Sequence, residues 1–316
     1  MNILLTGANG FVGRATLACL LQTPDTAVSL ALRTPIAGMP AHCQHPIESI
    51  SGNTRWSHAL LGVDTVIHLA ARVHVMNDCS PDPLAEFRTV NVEGSLALAR
   101  QAASAGVRRF VYISSIKVLG ESTLPGQSFT EDSPAEPRDP YGISKWEAEQ
   151  GLRDIADHTG LEVVILRPPL VYGPGVGANF QSLMSAVRRG FVLPLASVKN
   201  KRSMVSVENL ANAICLCAQH PAAANQTFLV SDQEDLSPPQ LVSALAKAMK
   251  RPARLLPVPV GMLKTIGRIT GKSAPIDRLC GNLCIDSSKI SRMLGWRPIL
   301  SVADAMQQTV AGEGLT

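Results

Sequence analysis

The chain has 316 residues, 29 Lys and Arg against 25 Asp and Glu, a formal charge of +4, 46% apolar residues and a mean hydropathy of +0.13. That balance excludes a disordered chain, which would lack the apolar surface to bury. It also speaks against a dedicated nucleic-acid binder, because the basic excess is thin and no contiguous Lys/Arg block concentrates it. An acidic small ligand fits equally well. The length allows one large domain or two small ones.

In chain order, a first candidate strand, Asn2–Thr6, leads into Gly7-Ala8-Asn9-Gly10-Phe11-Val12-Gly13 and a helical stretch over Val12–Leu21. Further candidate strands are Ala27–Leu32, Thr65–Leu69, Phe110–Ser114 and Leu161–Leu166, with helical stretches over Leu84–Ala105 and Tyr141–Thr159. These strands read as continuous apolar runs, the pattern of a parallel sheet covered on both faces. Their alternation with helices predicts an α/β, doubly wound, Rossmann-type sheet with right-handed crossovers. The proline- and acid-rich stretch Ser122–Pro140 reads as a long loop ahead of the Tyr141 helix. From Pro174 onward, turn residues and Pro-rich punctuation at Pro238-Pro239 and Pro252 to Pro259 interrupt the rhythm.

The seven cysteines, at 19, 43, 79, 215, 217, 280 and 284, form no C-x-x-C pair, so neither a zinc knuckle nor a redox motif is expected, and no metal. No apolar stretch reaches the ~18 residues of a membrane span, and the first residues carry no basic leader pattern. The expectation is a cytoplasmic protein with reduced thiols and no membrane insertion.

The loop after the first strand has glycines at 7, 10 and 13. Glycine there permits a tight turn and close backbone approach to a pyrophosphate at a helix N-terminus. Its position between strand and helix points to a dinucleotide. An acid at the end of the second strand would select the ribose 2′-hydroxyl of NAD, whereas arginine accommodates the 2′-phosphate of NADP. This chain has Arg33 there and Arg14 directly after Gly13, which favours NADP(H) with NAD(H) as the alternative. The division expected is residues 1–173 as the NAD(P)-binding domain, also taking in part of 203–232, and 174–316 as a smaller substrate-binding lobe.

Tyr141 and Lys145 stand at i and i+4 on one helix face, and Ser114 and Ser115 end the strand before them. A phenol near pKa 10 is a poor base at neutral pH, and a nearby ammonium lowers it. With a serine hydroxyl sharing the proton, the group can move a proton on or off a sugar hydroxyl or ketone while a nicotinamide moves hydride.

In these residues the chain resembles the extended short-chain dehydrogenase/reductases, in their nucleotide-sugar epimerase, dehydratase and reductase group. The resemblance rests on the three glycines, Asp64 to Ala71, Asn91-Val-Glu-Gly94, Ser114-Ser115, Tyr141/Lys145 and Arg167-Pro-Pro-Leu-Val-Tyr172-Gly173. It implies Ser115, Tyr141 and Lys145 as catalytic residues, with Lys145 also holding the nicotinamide ribose. It implies a cofactor groove of Phe11, Val12, Leu69, Ala70 and Ala71, with Asn91 supporting the geometry and Pro168 and Leu170 beside the nicotinamide. Asn179, Arg202 and Arg278 match positions that hold a nucleotide diphosphate, chemistry for which arginine is apt.

Several positions depart from that pattern. Ile116-Lys117 replace the Asp-Glu pair of the 4,6-dehydratases. After the third strand, where an adenine-contacting acid is implied, the chain reads Glu48-Ser49-Ile50. Leu170 stands where UDP-galactose epimerases carry Asn. The runs Tyr141–Gln150, Arg167–Phe180 and Arg278–Asp286 are similar to bacterial 4-keto-sugar reductases of the UDP-N-acetylquinovosamine type, which act in O-antigen and other surface polysaccharide synthesis. The expected reaction is therefore reduction of UDP-2-acetamido-2,6-dideoxy-4-keto-hexose, with a UDP-sugar 4-epimerase using bound NAD as the alternative.

The remaining signals are weaker. Ile266 to Ser273 imitates a phosphate loop but has Ile where the motif needs its first Gly, and no strand precedes it. His68 reads as a core histidine. His74, beside Arg72, and Lys117 are each candidates for substrate contact or for ordinary surface roles. Cys215 and Cys217 read as packing. The helices Leu84–Ala105 and Tyr141–Thr159 are candidates for a four-helix bundle in a homodimer.

Overall fold

The computed structural model describes residues 1–73, 80–271 and 273–312, save the side chains of Ala178, Ala274 and Pro275. The elements are β1 (Asn2–Thr6), α1 (Phe11–Leu21), β2 (Ala27–Leu32), β3 (Gln44–Pro46), β4 (Thr65–His68), α2 (Pro83–Phe87), α3 (Ser95–Ser104), β5 (Arg109–Ile113) and α4 (Pro140–Thr159). They continue with β6 (Glu162–Arg167), β7 (Leu170–Tyr172), α5 (Ala178–Arg188), β8 (Met204–Ser206), α6 (Val207–Gln219), β9 (Thr227–Leu229), α7 (Pro238–Ala248), α8 (Val260–Ile269), α9 (Ser273–Cys280), α10 (Ser288–Leu294) and α11 (Val302–Gly312).

Seven strands form one parallel sheet in the order β3-β2-β1-β4-β5-β6-β9, and β7 and β8 form a separate parallel pair. This is the doubly wound sheet expected from the alternation of apolar runs. The order reverses between β1 and β4, and ligands of such sheets bind in the crevice at that point, outside the strands' C-terminal ends. The two edge strands, β3 and β9, have no counterpart among the candidate strands. Each is three residues long, and β3 ends on Pro46, so neither carries an apolar run.

Side chains alternate across the sheet. Ile3, Leu5, Leu30, Ile67, Val111 and Val164 pack on one face with Leu17 and Leu20 of α1 and Leu210 and Ile214 of α6. Leu4, Ala31, Val66, Phe110, Tyr112 and Val163 pack on the other with Leu98 and Ala102 of α3 and Leu152 of α4. Cys215 and Cys217 lie in the first core, as packing residues. Ile290, Leu294 and Trp296 reach back from the far end of the chain into that same core.

The predicted helix Leu84–Ala105 is continuous but not uniform. It runs as α2, seven π-helical residues Arg88–Gly94, and α3. Single π segments inside helices are frequent at functional sites, because the wider turn re-aims side chains. Helix α4 starts where Asp139 accepts a hydrogen bond from the Gly142 amide at 2.7 Å with Pro140 in the first turn, and stops at Gly160 with φ 73°.

Candidate active site

The first wall of the crevice is the glycine loop. A Cβ on Gly13 would stand 2.0 Å from the Gly7 carbonyl oxygen, and one on Gly7 would stand 2.7 Å from the Ala70 amide nitrogen. Gly7 also has φ +74°. The loop is thus pressed against Leu69–Ala71 after β4, and only glycine fits. Thr6 Oγ1 accepts from the Ala70 amide at 3.2 Å and pairs with His68 Nδ1 at 2.7 Å. His68 Nε2 meets Ser95 Oγ at 2.9 Å, and burial holds the imidazole down at about 3, so it is a neutral core histidine.

Helix α1 has no side-chain cap at Gly10, which leaves its first amides to face the crevice. Those donors and the cradle closed to any Cβ fit a pyrophosphate. Arg14 donates to the Asn9 carbonyl at 3.0 Å, Asn9 Nδ2 donates to the Thr34 carbonyl at 2.8 Å, and Arg33 is exposed at the end of β2. Both arginines therefore lie beside the glycine loop. Glu48 is exposed two residues past β3.

The second wall comes from β5 and α4. Lys145 is 2% exposed; its ammonium donates to the Ile113 carbonyl at 2.8 Å and lies 4.5 Å from the Tyr112 ring centre and 5.9 Å from that of Tyr141. Burial takes its pKa down to about 7, against the raising influence of Glu149. Tyr141 is pushed up to about 12, by burial first and Asp139 second, while its hydrogen bond with Ser115 works the other way. The lowered phenol expected from a neighbouring ammonium is therefore not what this structure holds. Desolvation wins, and at neutral pH Tyr141 carries its proton. Ser115 caps a 3₁₀ turn, its hydroxyl accepting from the Lys117 amide at 3.3 Å.

Asn91 lies in the π segment and is fully buried. It accepts from the Arg72 amide at 2.8 Å and donates to the Arg72 carbonyl and to Ser144 Oγ, both at 3.0 Å. Ser144 Oγ in turn donates to the Tyr141 carbonyl at 2.8 Å. Asn91 thus ties the segment after β4 to the turn that bears the tyrosine. Pro168 is buried and accepts from the Ile116 amide at 3.0 Å, while Leu170 is exposed beside it.

The substrate-side residues scatter more widely. Arg202 donates to the carbonyls of Arg278, at 2.7 Å, and Gly281, at 3.2 Å, so the two arginines meet through the end of α9. Asn179 is exposed in the first turn of α5. Lys117 is engaged with Asp139 and, at 3.6 Å, with Glu121. His74 lies outside the described residues. Ile266–Ser273 spans the end of α8 and the start of α9, with no strand before it.

One residue was missed by sequence reasoning although a signal existed. Glu149 follows Tyr141 and Lys145 at the same spacing of four, and it is fully buried. It accepts from Ser114 Oγ at 2.5 Å, from Arg167 at 2.9 and 2.6 Å, and from Arg153 at 3.0 Å.

Residues 3–231 match the NAD dependent epimerase/dehydratase family. The chain belongs to that family. Within it, the chain is 45% identical to a UDP-glucose 4-epimerase of Vibrio cholerae over 98% of its own length and 94% of that protein. The fold is similar to a UDP-N-acetylglucosamine 4-epimerase of Bacillus cereus, with TM-score 0.81 at 19% identity over 99% of this chain and 100% of that one. It is also similar to a dTDP-glucose 4,6-dehydratase of Streptomyces venezuelae with NAD bound, with TM-score 0.77 at 25% identity over 99% and 97% of the two chains. The chain is thus an enzyme of the NAD dependent epimerase/dehydratase family.

Proposed function

We propose that the protein is a UDP-sugar 4-epimerase, inverting the hydroxyl at C4 of a UDP-hexose through a ketone. The observation that carries this reading is the 45% identity, over 98% of the chain, to a UDP-glucose 4-epimerase, in a chain that keeps Ser115 just past β5 and Tyr141 and Lys145 in the first turns of α4. A nicotinamide dinucleotide held by Gly7, Gly10, Gly13 and Lys145 would take up hydride from C4 and return it. Ser115 orients the sugar hydroxyl, and Tyr141, once its own proton has passed to solvent, takes the hydroxyl proton as hydride leaves C4 and gives it back as hydride returns. Arg202 and Arg278 attract the diphosphate. Burial of Ile116 and the cationic Lys117 leave no acid–base pair for dehydration beside Ser115.

A second reading is favoured by Arg33, Leu170 and the protonated state of Tyr141. In it the protein is a 4-keto reductase, using NADPH to make UDP-N-acetylquinovosamine or its C4 epimer for surface polysaccharide. Either reading places a homodimeric enzyme in the cytoplasm, paired through α3 and α4. The experiment incubates the purified protein with UDP-glucose and UDP-N-acetylglucosamine and follows C4 by NMR. A parallel arm mixes it with NADPH and the 4-keto product of a 4,6-dehydratase, read at 340 nm. Epimer without consumption of NADPH supports the first reading; NADPH loss without epimer overturns it for the second.

A further inference from the structure

The +4 charge of the whole chain hides a strong segregation. Thirteen of the 29 Lys and Arg fall in residues 180–203 and 247–280, which together hold one acid, Asp277; the rest of the chain has 16 against 24 acids. The fold brings the two segments together. Leu193 donates from its amide to the Arg254 carbonyl at 2.9 Å and accepts from the Leu256 amide at 2.8 Å, and Leu193, Leu255, Val260 and Leu263 share one apolar cluster.

On the outside of that cluster the surface is apolar as well as basic. Helix α8 turns Leu263 and Gly267 inward and leaves Met262, Ile266 and Ile269 outward at i, i+4 and i+7, with Ile269 80% exposed. Phe191, Val192 and Leu256 are exposed on the adjoining segments. Arg188, Arg189, Arg251, Arg254, Lys264 and Arg268 are exposed around them. Lys264 lies 3.7 Å from Asp277, and Arg254 donates to the Gly190 carbonyl at 3.3 Å.

We propose that this face docks on an anionic lipid surface. An exposed apolar patch of this kind marks an interaction site. Nucleic acid calls for basic charge without six outward aliphatic and aromatic side chains, whereas a bilayer interface takes both, the apolar face in the acyl boundary and the cations at the headgroups. Such a helix lies on the membrane and does not cross it, consistent with the absence, among the described residues, of a helix long and apolar enough to span one.

The test is co-sedimentation of the full-length protein with vesicles of phosphatidylglycerol and phosphatidylcholine, against phosphatidylcholine alone. Binding is expected only with the anionic lipid, falling steeply between low and ~0.5 M salt as screening shortens. Ile266→Asp/Ile269→Asp and, separately, Arg251→Glu/Arg254→Glu are each expected to weaken partitioning about tenfold or more. Melting temperature and turnover of soluble sugar nucleotide should stay unchanged. Equal sedimentation with neutral vesicles overturns the proposal, as does wild-type-like binding by either variant. A duplex-DNA mobility shift without vesicle binding overturns it in favour of nucleic acid. A dimer that the Ile266→Asp/Ile269→Asp change splits, in a protein that never binds vesicles, assigns the face to a second copy.

Discussion

At the scale of single residues, the site is governed by desolvation and one buried carboxylate. Tyr141→Phe removes the proton carrier and leaves the ring, so sugar turnover should fall by about 10²–10⁴-fold while dinucleotide binding persists. Glu149 holds the residue before Ser115, the residue before Pro168 and the helix turn after Lys145. Its charge also raises the Lys145 pKa. Glu149→Gln keeps the shape but removes that influence, so the Lys145 pKa falls below about 7. Activity that needs the ammonium is lost as pH rises through that value, so the alkaline limb of the pH–rate profile moves to lower pH. An unmoved limb would leave Glu149 as packing only. Stability gives a second handle. The folded pKa of Lys145, about 7, lies below its ordinary 10.5, so between those values the unfolded chain binds the extra proton and stability rises with pH. Lys145→Met abolishes that rise. Its melting temperature relative to wild type should be most favourable at pH 6 and decline toward pH 9, as scanning calorimetry would show; a constant difference would refute a charge buried at Lys145.

At the scale of elements, the glycine loop is a fitted joint between β1, α1 and β4. Gly13→Ala drives a Cβ into the Gly7 carbonyl, so the loop must open, and dinucleotide affinity by titration calorimetry should fall tenfold or more. Gly261→Ala, where nothing lies within 4 Å, should leave it unchanged. This joint was legible in the sequence, because glycine spacing, the apolar runs around it and the Tyr141–Lys145 pair are all local patterns. The strand cores and both long helices were legible for the same reason. What was not legible depends on partners far along the chain. The edge strands β3 and β9 take their identity from neighbours in the sheet, not from three residues of their own. The π segment shows only in backbone geometry. The meeting of Arg202 with the end of α9 depends on its side chain donating there and on two isolated bridges that pair Arg202 with Leu236 and with Leu283. The Tyr141 pKa depends on enclosure, which one helix cannot report.

At the scale of the whole molecule, the cofactor-bearing sheet and the C-terminal segments share cores, so they should unfold together. β9, at the sheet's edge, comes from residues beyond the β7–β8 pair, and Asp232 just past it accepts from Tyr172, Ser206 and Asn209. Asn209 in turn accepts from the amides of Ile299 and Leu300, at 2.9 Å each. Trp296 is 3% exposed, packs in the core beside β1, and donates from its indole to Asn212 at 3.0 Å. A substitution there is more than 200 residues from the glycine loop, yet its cavity opens under the same sheet. Trp296→Ala should cost about 3–5 kcal/mol, as large-to-small core changes do, and with the unfolding entropy of a chain this size lower the melting temperature by roughly 5 °C. The informative readout is coincidence. Far-UV ellipticity and the fluorescence of the two tryptophans that remain, Trp56, fully buried on the opposite face of the sheet, and Trp146 of α4, should move down together in a single transition. If that fluorescence kept its wild-type midpoint while the ellipticity melted in two steps, the C-terminal segments would be a separate folding unit, and the sharing of Trp296 with the cofactor core would be contact without cooperativity.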